Sequence, residues 1–142
     1  MPSFEVMDQD GNVVRREDLI GRKTIIYFYP KDNTSGCTAE ACSLRDGYAD
    51  VRAAGYNVVG VSKDSVKSHA GFRAKHKLPF TLLSDTSTEM LRAFGAWGEK
   101  KLYGKVTEGT LRRTFIFDEN GVLVRIIEKV DTKNAASQIL EG

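Results

Sequence analysis

Cysteine is nearly absent from this chain: Cys37 and Cys42 are the only two among 142 residues. That count excludes a disulfide framework, and a chain of this length can bury a hydrophobic core without staples. Proline is equally scarce, with three residues. No Pro/Gly/Ser-rich stretch or internal repeat divides the sequence, so a single domain over 1–142 is expected. No apolar run approaches the ~18–20 residues of a membrane span, and no basic-then-apolar leader opens the chain. The net charge of +2 is too small to argue for nucleic acid or an anionic bilayer as partner. The expected setting is a reducing cytoplasm, where paired cysteines are more often catalytic, redox-sensing or metal-binding than structural.

What is present is organised around those two thiols. An apolar strand over 24–29 runs straight into Pro30-Lys31-Asp32-Asn33-Thr34-Ser35-Gly36-Cys37-Thr38-Ala39-Glu40-Ala41-Cys42. From Cys37 to about Ala54, Ala41, Leu44, Tyr48 and Val51 fall at helical spacing, and Gly55 marks the stop. A second strand at 57–62 completes a right-handed βαβ unit with parallel strands. Further expected elements are short edge strands at 4–6 and 13–14, a helix at 65–77, a strand at 81–84 and a helix at 88–97. After these come a Gly- and Lys-rich loop at 98–109, a hairpin from 114–117 to 122–130, and a last helix starting near Thr132. The sum is an α/β, thioredoxin-like layout: a mixed sheet of about five strands with helices on both faces.

Cys37 then stands at a strand-to-helix junction, where unpaired backbone N–H groups and the helix dipole favour an anion. If both cysteines lie on the helix, they are i, i+5. Their Cα atoms are then roughly 8.5 Å apart and about 140° around the axis. A disulfide needs about 7 Å or less, so the two can bond only when the first turn unwinds. The pair is a switch, not a staple. Full ionisation of an ordinary thiol gains at most about thirtyfold at pH 7. Fast chemistry therefore requires donors aimed at the transition state as well. Thr34 offers a hydroxyl, Pro30 shapes the loop and excludes water, and Arg112 or Arg113 offers a guanidinium. The two arginines point to opposite sheet faces, and periodicity does not choose between them.

Other readings of the same residues are weaker. Spacing alone leaves small buried hydrophobic cysteines open, and the combination of Pro30, Thr34 and Cys37 argues against them. A zinc site from Cys37, Cys42, His69 and His76 would use C-x4-C and H-x6-H, outside or at the edge of the common patterns. The C-x-x-C of a dithiol oxidoreductase is missing. His69 and His76 read as surface residues of a charged helix. Lys100, Lys101 and Lys105 read as a solvated loop or a reductase-docking surface. Trp97 reads as core, with its neighbourhood a candidate pocket wall.

Pro30-x-x-x-Thr34-x-x-Cys37 resembles the active-site motif of the peroxiredoxins, and Cys37-Thr38-x-Glu40-x-Cys42 resembles the peroxiredoxin Q or bacterioferritin comigratory protein subgroup. The likeness continues through Tyr27–Asp32, Val59–Ser62, Phe94–Lys101, Tyr103–Lys105 and Arg112-Arg113-Thr114-Phe115. It implies a thiol peroxidase in which Cys37 attacks hydrogen peroxide or an organic hydroperoxide and becomes a sulfenic acid. Cys42 then resolves it as an intramolecular disulfide, and thioredoxin or a similar dithiol recycles the enzyme. Thr34 and Arg112 would hold the peroxide, Pro30 would shield the thiol, and Glu40 would orient the arginine. No cofactor or metal is implied, and a resolving thiol on the same chain favours a monomer. Ser35 stands where the subgroup commonly has proline, with helix capping by the serine expected instead. The likeness begins at the first Phe motif and ends soon after the last helix starts, so trimmed termini are expected. A non-enzymatic redox sensor or holdase using the same thiols is the alternative.

Overall fold

Strand β3 (Lys23–Phe28) is buried from Thr24 onward because it lies in the interior of the sheet with helices over both faces. Its side chains alternate as the period of two demands. Ile25, Tyr27 and, beyond the strand end, Tyr29 enter one core, while Ile26 and Phe28 enter the other. The computed structural model describes residues 1–141. In chain order the other elements are β1 (Glu5–Asp8), β2 (Val13–Arg15), α1 (Arg16–Leu19), α2 (Ser35–Asp46), α3 (Tyr48–Ala53), β4 (Tyr56–Ser62) and α4 (Val66–His76). There follow β5 (Thr81–Ser84), α5 (Glu89–Ala93), β6 (Trp97–Leu102), β7 (Lys105–Thr110), β8 (Arg113–Phe117), β9 (Leu123–Ile127) and α6 (Ala135–Leu140).

The main sheet runs β2-β1-β5-β4-β3-β8-β9. β3, β4 and β5 are mutually parallel, with Ile26 opposite Val59, and β8 joins β3 antiparallel with Phe28 opposite Arg113. The thioredoxin-like mixed sheet is therefore present, but with seven strands rather than about five. The short N-terminal pair β1–β2 extends it by pairing Met7 with Ser84 of β5. The expected loop at 98–109 is instead an antiparallel hairpin, β6–β7, in which Trp97 pairs with Thr110. Most of β7 is exposed, and Glu99, Lys100, Lys101, Lys105 and Glu108 are charged, so the segment carries no apolar alternation from which a strand could be read.

Three helix boundaries also move. The span 37–54 is two helices, because the chain breaks at Gly47, where a β-carbon would collide with Ala136 of α6. The helix expected at 88–97 ends at Ala93, and Gly95 (φ 74°) turns the chain into β6. Strand β9 is shorter than 122–130, and α6 begins three residues after Thr132. Among the described residues no helix is long and apolar enough to cross a membrane.

Candidate active site

β3 delivers the chain at Tyr29, whose amide donates to Val61 O on β4 (3.1 Å). Pro30 to Thr34 then cross to the start of α2. Thr34, not Ser35, is the N-cap, in extended conformation, and Thr38 N donates to its carbonyl at 2.9 Å to close the first turn. Cys37 sits in that turn and is 1% exposed. Cys42 is half-buried on the same helix, and both thiols are free. The helix between them is continuous, so the i, i+5 separation holds.

Arg112 reaches the site from the residue before β8. Its Nη2 donates to Cys37 Sγ at 3.3 Å and its Nη1 to Glu40 Oε1 at 2.6 Å. The guanidinium lies over Gly36, where an added β-carbon would stand 3.4 Å from Nη2. Arg113 turns the other way and donates to Gly95 O. Burial pushes the Glu40 carboxyl up to about 7, even though Arg112 pulls in the opposite direction. Its second oxygen, Oε2, is buried without a hydrogen-bond partner. Burial opposes the charge on Arg112 too, but Glu40 and Cys37 together more than offset it and hold the guanidinium charged.

Pro30 is half-buried and lines a groove of about 520 Å³ beside Arg112, together with Lys100, Leu111, Arg113, Glu128 and Lys129. The Lys100 ammonium is held below its ordinary range, first by burial and then by the positive field of Arg112. Lys101 and Lys105 are exposed, as expected of them, but Lys100 is part of the groove wall. Thr34 is exposed and its Oγ1 donates to Lys31 O at 2.9 Å. No hydrogen bond joins it to Cys37 among the described residues. Trp97 packs against the second core between the cations of Arg92 and Lys63.

The reading of His69 as a surface residue is wrong: it is fully buried. Nδ1 faces Asp32 Oδ2 at 2.7 Å and Nε2 faces Leu83 O at 2.9 Å. Asp32 also accepts from Tyr29 Oη (2.6 Å) and Ser68 Oγ (2.8 Å). Burial raises the Asp32 carboxyl, but the bonds from His69, Tyr29 and Ser68 outweigh it and hold the group below the usual carboxylate range. Asp32, Asp64 and His69 bring three potential ligand atoms within 4.8 Å of one another. Each is already engaged in hydrogen bonds, so the cluster is a clamp between the Pro30–Thr34 loop and α4. The signal for it was the i, i+3 pair His69 and Phe72, which together form the buried face of α4.

A buried thiol in the first turn of a helix, gripped by a guanidinium and set on a thioredoxin-like sheet, defines the class as a thiol peroxidase. The chain belongs to the AhpC/TSA family, whose model matches residues 1–126. A Mycobacterium tuberculosis protein is 49% identical over 123 residues, 87% of this chain and 78% of that one. Peroxiredoxin Bcp of Escherichia coli is 39% identical over 139 residues, 98% of this chain and 89% of its own. Among solved structures, the bacterioferritin comigratory protein of Xanthomonas campestris superposes with a TM-score of 0.90 at 36% identity. That match covers 97% of this chain and 88% of that one.

Proposed function

We propose that this chain reduces hydroperoxides through Cys37 and Cys42 in turn. The Cys37 thiolate attacks the terminal peroxide oxygen, the O–O bond breaks, and the departing alkoxide or hydroxide takes up a proton. Cys37 is left as a sulfenic acid. Cys42 then attacks that sulfur, the S–S bond forms, and the hydroxide released is protonated to water. A dithiol protein such as thioredoxin reduces the disulfide, and with both thiols on one chain the cycle needs no second copy. The observation that carries this reading is the guanidinium of Arg112, 3.3 Å from Cys37 Sγ while Glu40 grips its other nitrogen. It offers a fixed cation to the charge that spreads over sulfur and two oxygens in the transition state. Thr34, exposed at the N-cap of α2, turns its hydroxyl from Lys31 O to the incoming peroxide. The Xanthomonas campestris relative is described for alkyl peroxide reduction, and the groove beside Arg112 gives an alkyl substituent room here.

The test is peroxide consumption in the presence of thioredoxin, its reductase and a nicotinamide reductant. Many turnovers per molecule are expected, with none after Cys37→Ser. A single oxidation per molecule would mark a redox sensor instead.

A further inference from the structure

We propose that His76 is the general base for the second thiol, taking the proton of Cys42 as its sulfur attacks the oxidised Cys37. The proposal rests on the reading of Cys42 as the resolving cysteine. Cys42 Sγ lies 3.9 Å from His76 Nδ1, a long S–H···N contact. Arg45 Nη1 donates to the His76 backbone carbonyl at 2.8 Å and fixes the main chain there, and the Phe72 ring packs edge-on against the imidazole at 5.1 Å. His76 is the last residue of α4.

The need for a separate base follows from geometry. Cys42 is turned about 140° away from Cys37 around α2, so the guanidinium that serves Cys37 cannot serve it. The charged group from its own helix is Arg45, which is held charged chiefly by its bond to Asp46, with a smaller contribution from Cys42 as the thiolate. From α4 the facing group is His76 itself, since Arg73 is committed to Phe80 O. The same contacts tie the second half of α2 to α4, with Ala41 and Leu44 buried beneath it. Cys42 thus stays seated while the Cys37 turn comes to it. The proton balance closes within the pair: the Cys42 proton passes to His76 Nδ1, the S–O bond of Cys37 breaks, and the proton goes on to the leaving hydroxide.

An unassisted thiol is about 3% ionised at pH 7, so a base can accelerate this step by at most about thirtyfold. The experiment mixes reduced protein with one equivalent of hydrogen peroxide and follows loss of peroxide and formation of the disulfide separately, by acid quench and mass analysis. For His76→Gln and His76→Asn the first phase should be unchanged. Disulfide formation should slow about tenfold to thirtyfold at pH 7, sulfinic acid on Cys37 should accumulate at higher peroxide, and the deficit should close near pH 10. Unaltered disulfide formation, or a deficit that persists at that high pH, overturns the role of His76. Disulfide formation that survives Cys42→Ser would instead overturn the underlying assignment of Cys42.

Discussion

The chemistry of single residues here is set by what each is forced to face. Arg112 stands between a thiol and a buried carboxyl, so its value lies in where its charge is held rather than in ionising Cys37. Ionisation alone is worth no more than about thirtyfold at pH 7. Arg112→Met should therefore lower the peroxide rate constant by well over thirtyfold, and raising the pH should not restore it. Full recovery at high pH in stopped-flow measurements would reduce Arg112 to a perturber of the thiol. Arg113→Met, which loses only a bond to Gly95 O, should react within a few-fold of the parent. The buried pair Asp32–His69 calls for a different measurement. Removing His69 takes one of three side-chain hydrogen bonds from the buried Asp32 carboxylate, and losing a hydrogen bond to a charged group costs about 1.5–3 kcal/mol. His69→Leu alone should destabilise by that amount, and adding Asp32→Asn should return part of it. Strictly additive losses in a denaturant-unfolding cycle would show that the two groups are not coupled.

At the scale of elements, α2 is anchored unevenly along its length. Up to Glu40 it buries only Cys37 and Glu40, whereas Ala41 and Leu44 anchor its second half. Few apolar contacts hold the first turn, so local opening is accessible without loss of the sheet. The i, i+5 separation makes opening obligatory before the sulfurs can bond. Amide exchange over residues 36–41 should accelerate strongly in the disulfide form, with β3 and β4 unchanged and the amides after Cys42 little affected. Equal protection in the reduced and disulfide forms would refute the switch. The break at Gly47 belongs to this scale too. It lets α3 and α6 pack closely beside α2, because any β-carbon there would displace Ala136.

At the scale of the whole molecule, the site is linked to global stability through Glu40. Its carboxyl rises from 4.5 in an unfolded chain to about 7 when folded, so the native state binds the extra proton. The resulting stabilisation is fully present below pH 4.5 and is lost as pH rises toward 7. At face value it amounts to roughly 3 kcal/mol. Glu40→Gln, which cannot ionise, should flatten the stability profile across pH 4.5–7 in urea titrations. An unchanged slope would mean that Arg112 compensates the buried carboxylate fully. The fold thus retains a carboxyl that costs stability at neutral pH, in the position that orients the guanidinium over Cys37.

The apolar run of β3 and the five-residue separation of the thiols determined the βαβ core and the distance that keeps the two sulfurs apart on an intact helix. These are local properties, carried by periodicity and by the dimensions of a helix. The choice of Arg112 over Arg113 came from family likeness and not from pattern, and its basis is the opposite turns of the two side chains at the start of β8. The hairpin β6–β7 was hidden because exposed strands need no apolar alternation, whereas the edge strands β1 and β2 were anticipated near their observed places. Only the tertiary structure decided that His69 is a buried clamp, that His76 faces Cys42 and that Glu40 is desolvated. Each depends on a partner more than 30 positions away in the chain. Contacts at that separation exist only once strands and helices have docked, and no local sequence pattern encodes them.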